Sequence, residues 1–169
     1  MISAEHPSLI DSSQNQKILF LDIDGVLISE EYFKKKFSKQ TGLSRFNPDS
    51  VSLIKALIEE FSLRIVISSS WRYAAIDKLM HELKINKLFD YLYYDWFTPV
   101  IHPAHRGMEI RLWLDLHTEV NEYVILDDDE NILDEQKDNY VQTRLDYGMI
   151  TKHYNRVRAI LSIVMEAQE

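Results

Sequence analysis

Three short apolar runs constrain the fold of this chain most, because each is nearly continuous and each ends in polar residues. The runs are KILFLDI at residues 17–23, SLRIVIS at residues 62–68 and EYVILDDD at residues 122–129. Their length and composition indicate β-strands that are covered on both faces. Strands of this kind occur almost only in parallel sheets that lie between layers of helices.

Helical patterns separate these runs. Asn47, Pro48 and Asp49 supply an N-cap, a proline for the first helical position and an acid for the first turn. Thr151 can cap a last helix. Four helix faces are predicted, with these inward positions: Val51, Ile54, Leu57, Ile58 and Phe61; Ala75, Ile76, Leu79, Met80 and Leu83; Ile110, Trp113, Leu114 and His117; and Tyr154, Val157, Ile160, Leu161 and Val164.

Strands that alternate with helices predict an α/β fold. We expect a three-layer, doubly wound (Rossmann-like) parallel sheet with helices on both faces. Residues 89–105 are aromatic and irregular and predict a short strand followed by a loop, and residues 139–145 predict a further strand. Residues 1–16 are polar and predict a flexible N-terminal arm before a single domain at 17–169. The chain stops within or just after a helix, which is compatible with the N-terminal part of a longer protein.

Composition excludes several classes of function. The formal net charge of -8 argues against generic binding to nucleic acid or to anionic membranes, although not against a local basic site. The absence of cysteine excludes disulfides, thiolate catalysis and cysteine-ligated zinc. No apolar run approaches the roughly 18 residues of a membrane span, and the N-terminal residues lack a signal-peptide pattern. We therefore expect a cytoplasmic protein.

Chemistry-bearing side chains collect where the predicted strands end. Asp22 and Asp24 follow the first run, three serines at 68–70 follow the second, and three aspartates at 127–129 end the third. In open α/β sheets, ligands bind beyond the carboxyl ends of the strands. Grouped carboxylates repel one another, and a cation that prefers oxygen ligands relieves this repulsion. The sequence thus predicts a magnesium site, with Gly25 allowing a sharp turn after the aspartate pair.

These motifs resemble those of the haloacid dehalogenase-like (HAD) superfamily of phosphatases. DIDGV at 22–26 resembles the first motif of that family, ISSSW at 67–71 the second, and VILDDD at 124–129 the acidic fourth. SSSWR and RGMEI are similar to a bacterial branch that is related to HAD domains of RNA-repair proteins. The resemblance covers nearly the whole chain from residue 17 to residue 150.

The resemblance implies a role for each aspartate. Asp22 would be the nucleophile that forms an aspartyl-phosphate. Asp24 would be the general acid toward the leaving group and then the base for water. Magnesium would be held by Asp22, by the backbone carbonyl of Asp24 and by Asp127, with Asp128 bound directly or through water.

The second and third motifs imply two further roles. A hydroxyl of the second motif would bind the phosphoryl oxygens: alignment on the tryptophan favours Ser69, and alignment on the strand end favours Ser68. We favour Ser69. The third motif usually supplies a lysine, which is absent here, and Arg106 at the start of RGMEI is the best replacement. Arginine is a permanent cation that can bind a phosphoryl group through two hydrogen bonds.

The sequence constrains the substrate less than it constrains the fold or the site. The intervals between the motifs have no room for a substantial cap domain, and by resemblance an open site suits large substrates. The acidic balance favours a phosphoprotein, with phosphotyrosine ahead of phosphoserine, and Trp71 and Trp96 could line such a site. A nucleic-acid end phosphatase is the rival function. A non-catalytic interaction domain that depends on phosphate or magnesium is a third possibility, supported by the missing lysine.

Overall fold

The computed structural model describes residues 16–37 and 44–166, in which five strands form one parallel sheet. The strands are β1 (Gln16–Leu21), β2 (Leu63–Ile67), β3 (Leu92–Phe97), β4 (Val120–Asp127) and β5 (Tyr140–Gln142). Their order is β3-β2-β1-β4-β5, and every neighbouring pair is parallel. The predicted parallel α/β sheet is confirmed, and β1 is its central strand.

Helices cover both faces of the sheet. They are α1 (Glu30–Phe37), α2 (Pro48–Phe61), α3 (Trp71–Ala74), α4 (Ile76–Ile85), α5 (Arg106–Leu116) and α6 (Thr151–Glu166). Two 3-10 turns, Phe89–Tyr91 and Asp134–Asn139, precede β3 and β5. Among the described residues the helices and loops between the strands include no cap domain, as predicted.

Two apolar cores lie on opposite faces of the sheet. Alternate side chains of β1 separate into them, with Leu19 and Leu21 on one side and Ile18 and Phe20 on the other. The larger core packs α2, α4 and α6 on the sheet, and the smaller one packs Ile110 and Trp113 of α5. Both faces of β1 are therefore buried, which explains its nearly continuous apolar sequence.

The N-terminus of α2 follows its sequence signals. The side chain of Asn47 accepts a hydrogen bond from the backbone N–H of Asp49, and Pro48 is the first helical residue. Ser62 ends the helix in the left-handed conformation and leads directly into β2. The five predicted inward positions of α2 are all buried.

The sequence patterns missed α1 because it has only eight residues, of which five are charged. Two ion pairs along its surface, Glu30 with Lys34 and Glu31 with Lys35, join residues one turn apart and contribute to its stability. The predicted arm at 1–16 lies outside the described residues except for Gln16, which begins β1.

Four predicted helix positions differ from the structure, and the side chain of a fifth, Val164, lies outside the described part of the chain. Ala75 precedes α4 instead of lying within it. Ile76 begins α4 and is 37% exposed, because a side chain in a first turn can point away from the core. His117 is buried but follows the end of α5. Thr151 is the first residue of α6 rather than the cap before it. In the described part of the chain, each helix is too short or too polar to cross a bilayer.

Candidate active site

The carboxyl ends of the three central strands lie side by side. Leu21, the last residue of β1, pairs with Ile67 of β2 and Leu126 of β4. The backbone N–H of Asp22 then donates to the carbonyl of Leu126, and the N–H of Ser68 donates to the carbonyl of Leu21. The first, second and fourth motifs therefore meet at one edge of the sheet, as the sequence predicts.

Three carboxylates converge at this edge. One oxygen each from Asp22, Asp127 and Asp128 lies within 4.8 Å of the others. Burial and the charge of Asp127 raise the pKa of Asp22 well above its ordinary value, and burial also raises the pKa values of Asp127 and Asp128. A divalent cation would favour the ionised forms of such oxygens, so this donor set fits magnesium.

The turn after β1 places Asp24 beside the same group. β1 ends at Leu21, so both aspartates of the first motif lie in this turn rather than in the strand. Gly25 has a φ of +74°, and a Cβ atom there would lie 2.4 Å from Cγ of Asp128. The glycine thus permits both the turn and the close approach of the acidic loop that follows β4, at residues 128–133.

Arg106 lies between two of the carboxylates. Its Nε is 2.7 Å from Oδ2 of Asp127, and its Nη2 is 3.3 Å from Oδ1 of Asp22. Burial alone would lower the pKa of Arg106, but the carboxylates of Asp127, Asp22 and Glu109 raise it above its ordinary value. The guanidinium therefore joins the first-motif and fourth-motif carboxylates at the strand ends.

Backbone contacts fix the position of Arg106 at the start of α5. The N–H of Gly107 donates to the carbonyl of Asn131 at 2.9 Å, and the Gln136 side chain donates to the carbonyl of Gly107. A Cβ atom on Gly107 would lie 2.5 Å from the backbone nitrogen of Leu133. His105 caps the helix by accepting from Met108. The acidic loop and α5 therefore pack in direct backbone contact.

The two candidate serines have different surroundings. The Ser69 hydroxyl faces the Asp22 carboxylate and, as a hydrogen-bond donor, opposes the rise in its pKa. The Ser68 hydroxyl is buried and has no hydrogen-bond partner among the described residues. This arrangement favours Ser69 as the hydroxyl that can reach a group bound at Asp22.

A family model described as the HAD domain in Swiss Army Knife RNA repair proteins matches residues 18–154. The chain belongs to this family. The match confirms the resemblance that the three motifs indicated, including the relation to RNA-repair proteins. A comparison with curated proteins finds no match. Family membership supports a hydrolase of the phosphatase type, and HAD domains typically use magnesium.

Trp71 contacts Asp24 in this HAD domain, which the sequence did not predict. The indole Nε1–H donates to Oδ2 of Asp24 at 2.8 Å, across 47 positions of sequence. Among the described residues it is the one hydrogen-bond partner of the Asp24 side chain. The Asp24 carboxylate lies outside the trio of convergent carboxylates, which is compatible with a metal contact through its backbone carbonyl.

Arg72 connects the loops around the site. Its guanidinium donates to the carbonyls of Ser68 and Ser69, and also to those of Thr98 and Pro99 beyond β3. Its Nη2 is 2.7 Å from the Glu109 carboxylate on α5, and both side chains are buried. All of its nitrogens are engaged, so Arg72 is poorly placed to replace Arg106. No local sequence signal marks this residue, because most of its partners come from other segments.

Proposed function

We propose that this HAD domain is a magnesium-dependent phosphomonoester phosphatase in which Asp22 is the nucleophile. The observation that carries the proposal is the ion-pair network in which Arg106 contacts both Asp22 and Asp127 at the strand ends. The network places a permanent cation beside a buried carboxylate, where a phosphoryl group with negative charge could be held for attack.

The side chains divide the reaction between them. An oxygen of Asp22 attacks phosphorus and forms an aspartyl-phosphate as the bond to the leaving oxygen breaks. Arg106 and the Ser69 hydroxyl stabilise the phosphoryl oxygens. Asp24 donates a proton to the leaving oxygen and later accepts one from the water that hydrolyses the aspartyl-phosphate.

Magnesium, when bound, would supply positive charge that offsets the repulsion between the phosphoryl group and the carboxylates. The residues that would hold it are Asp22, Asp127 and Asp128, together with the backbone carbonyl of Asp24. Their convergent oxygens and raised pKa values favour this assignment.

The phosphorylated end of a nucleic acid is the substrate class that we propose. The family description names RNA repair proteins, and the described residues include no cap that would enclose a small metabolite. Tyr73 and Phe97 are 54% and 44% exposed, and each lies within a few residues of the end of β2 or β3. Aromatic side chains of this kind can stack on the bases of a single strand.

A phosphotyrosine peptide is the second candidate. The net charge of -8 favours it, because polynucleotide binding depends on cationic contacts with phosphates. The same exposed aromatic residues could contact a phenyl ring. The sequence alone favoured this substrate, whereas the family description favours the nucleic-acid end.

Parallel kinetics on both substrate classes would separate these candidates. Oligonucleotides with a 5′- or a 3′-phosphate and a phosphotyrosine peptide are assayed with magnesium, with a chelator and across a salt series. Asp22→Asn is the control for contaminating phosphatases. We expect turnover that requires magnesium and a higher kcat/KM for one oligonucleotide end. A higher kcat/KM for the peptide would overturn the substrate proposal, and equal rates in chelator would overturn the mechanism.

A further inference from the structure

We propose that Trp71 is a positioning residue that orients the carboxyl group of Asp24 toward the leaving group. The inference rests on the proposed function, because it concerns how the general acid of that reaction is held. The indole hydrogen bond to Asp24 is short, at 2.8 Å, and partly buried.

The chemistry of the indole determines which oxygen of Asp24 can carry a proton. An indole N–H can only donate a hydrogen bond. In a neutral carboxyl group the carbonyl oxygen is the better acceptor, so contact with Oδ2 leaves the proton on Oδ1. The contact therefore leaves Oδ1 as the oxygen that can donate the proton to the leaving group, and it restricts rotation of the carboxyl group.

The surrounding structure holds the indole in place. Trp71 is partly buried, packs on the larger apolar core and is the first residue of α3. The next residue, Arg72, is bound to four backbone carbonyls, two of which belong to Ser68 and Ser69. Packing on the core and the backbone contacts of Arg72 both hold the ring in place. The indole therefore loses little conformational entropy when it binds Asp24, as a positioning role requires.

One turn thus carries two proposed functions. The backbone N–H of Trp71 lies 3.4 Å from Oγ of Ser69, the proposed phosphoryl contact, while its indole reaches Asp24. The segment 69–71 therefore positions both the proposed phosphoryl contact, Ser69, and the proposed proton donor, Asp24. A tryptophan two positions after the serine is therefore part of the reaction geometry rather than only of the core.

Trp71→Phe tests this role because phenylalanine keeps an aromatic ring in the core and removes the donor. Phenyl phosphate and 4-nitrophenyl phosphate are compared, since they differ little in size but the nitrophenolate needs no proton to leave. General acids contribute about 100- to 10,000-fold to rate, so a misoriented acid should lose about tenfold in kcat/KM on phenyl phosphate. The loss on nitrophenyl phosphate should be much smaller. Equal losses on the two substrates would overturn the proposal.

Two further variants make the comparison specific. In Asp24→Asn the acid is absent, so adding Trp71→Phe should change the kcat/KM ratio of the two substrates no further. Trp113→Phe is the matched control, because it also removes an indole hydrogen bond, here to the carbonyl of Asp95 at 3.0 Å. In Trp113→Phe, the ratio of kcat/KM on phenyl phosphate to kcat/KM on nitrophenyl phosphate should equal that of the unsubstituted protein. Additive effects in the double variant would count against coupling between Trp71 and Asp24.

A measurement without turnover tests the contact itself. The chain has three tryptophans, so three indole N–H signals are expected in a ¹H–¹⁵N spectrum. Asp24→Ala should move the Trp71 signal upfield and speed its exchange with water, with little change in the signals of Trp96 and Trp113. An unchanged Trp71 signal would refute the hydrogen bond. If the parent hydrolyses neither substrate, the phosphatase proposal fails instead, and the catalytic role of the contact fails with it.

Discussion

Two arginines beside the same site, the buried Arg72 and the partly buried Arg106, have different environments. Arg72 is bound mainly to neutral backbone carbonyls and to one carboxylate, Glu109. Arg106 faces Asp22 and Asp127 and lies 3.9 Å from Glu109. Burial lowers the pKa of Arg72 below its ordinary value despite Glu109, whereas the pKa of Arg106 is raised by the surrounding carboxylates.

The difference distinguishes a structural cation, Arg72, from the cation that we propose contacts the phosphoryl group. Arg72 has no nitrogen left for a ligand, and its contacts join the second-motif loop, the segment after β3 and α5. Arg106 contacts carboxylates that we propose as magnesium ligands, so its surroundings would change when the metal binds. Burial of an arginine does not by itself identify its role, but the chemical type of its partners does.

We expect the largest effect from replacing Asp22, the proposed nucleophile that contacts Arg106. Asp22→Asn should reduce turnover on the order of a thousandfold or more, because an amide is a poor nucleophile and a weak metal ligand. The free energy of unfolding should change little, since the amide has nearly the same shape and Arg106 keeps its closer ion pair with Asp127. Single-turnover kinetics and chemical denaturation measure both quantities. Near-normal turnover in this variant would show that Asp22 is not the nucleophile, and the proposed role of Arg106 beside it would then be wrong.

Arg72→Ala should affect stability more than any substitution of Arg106. Removing one partner of a buried ion pair costs about 3–5 kcal/mol. Glu109 would lose its closest partner and keep only the longer contact with Arg106 at 3.9 Å. The loss should be the same with and without magnesium, since Arg72 contacts none of the proposed ligands. Denaturant unfolding in magnesium and in chelator measures this. A loss that magnesium restores would break the distinction between the two arginines.

Arg106→Ala should slow turnover strongly while the protein stays folded. A positioned cation at the phosphoryl oxygens contributes on the order of 3 kcal/mol, or roughly a hundredfold in rate. Arg106→Lys should recover part of that loss, because it restores the charge without the second hydrogen bond. Steady-state kinetics with thermal melting distinguish the variants. A normal rate in Arg106→Ala would assign the phosphoryl contact to another group.

The smallest effects are expected for the two candidate serines, Ser68 and Ser69. Ser69→Ala should lower kcat/KM about tenfold, because one hydrogen bond to a charged group is lost. Ser68→Ala should change kcat/KM little, since the Ser68 hydroxyl has no partner among the described residues. The two alanine variants form a matched pair and are compared by kinetics on one substrate. A larger loss at Ser68 would reverse our assignment.

The fold and the acidic part of the site could be predicted because their signals are local in sequence. Continuous apolar runs identified β1, β2 and β4, and the acidic residues at their ends predicted the convergence of Asp22 with Asp127 and Asp128. The strand end alone pointed to Ser68, and the choice of Ser69 depended on the alignment with the tryptophan. α1 escaped prediction because it is short and most of its residues are charged, so it gives no clear apolar period. The contacts of Trp71 and Arg72 also escaped, since their partners lie as many as 47 and 37 positions away and no periodic pattern relates them.

The close packing of Gly107 against the acidic loop has a consequence for motion. Its N–H is bonded to Asn131 and its carbonyl to Gln136, so the start of α5 cannot shift without moving the segment that follows Asp127–129. Opening of that loop in the absence of magnesium would expose the Gly107 amide to solvent, and bound magnesium would keep it closed. Hydrogen exchange at the Gly107 amide should therefore slow when the metal binds, although Asp127, the nearest proposed metal ligand in sequence, is 20 positions away in the chain.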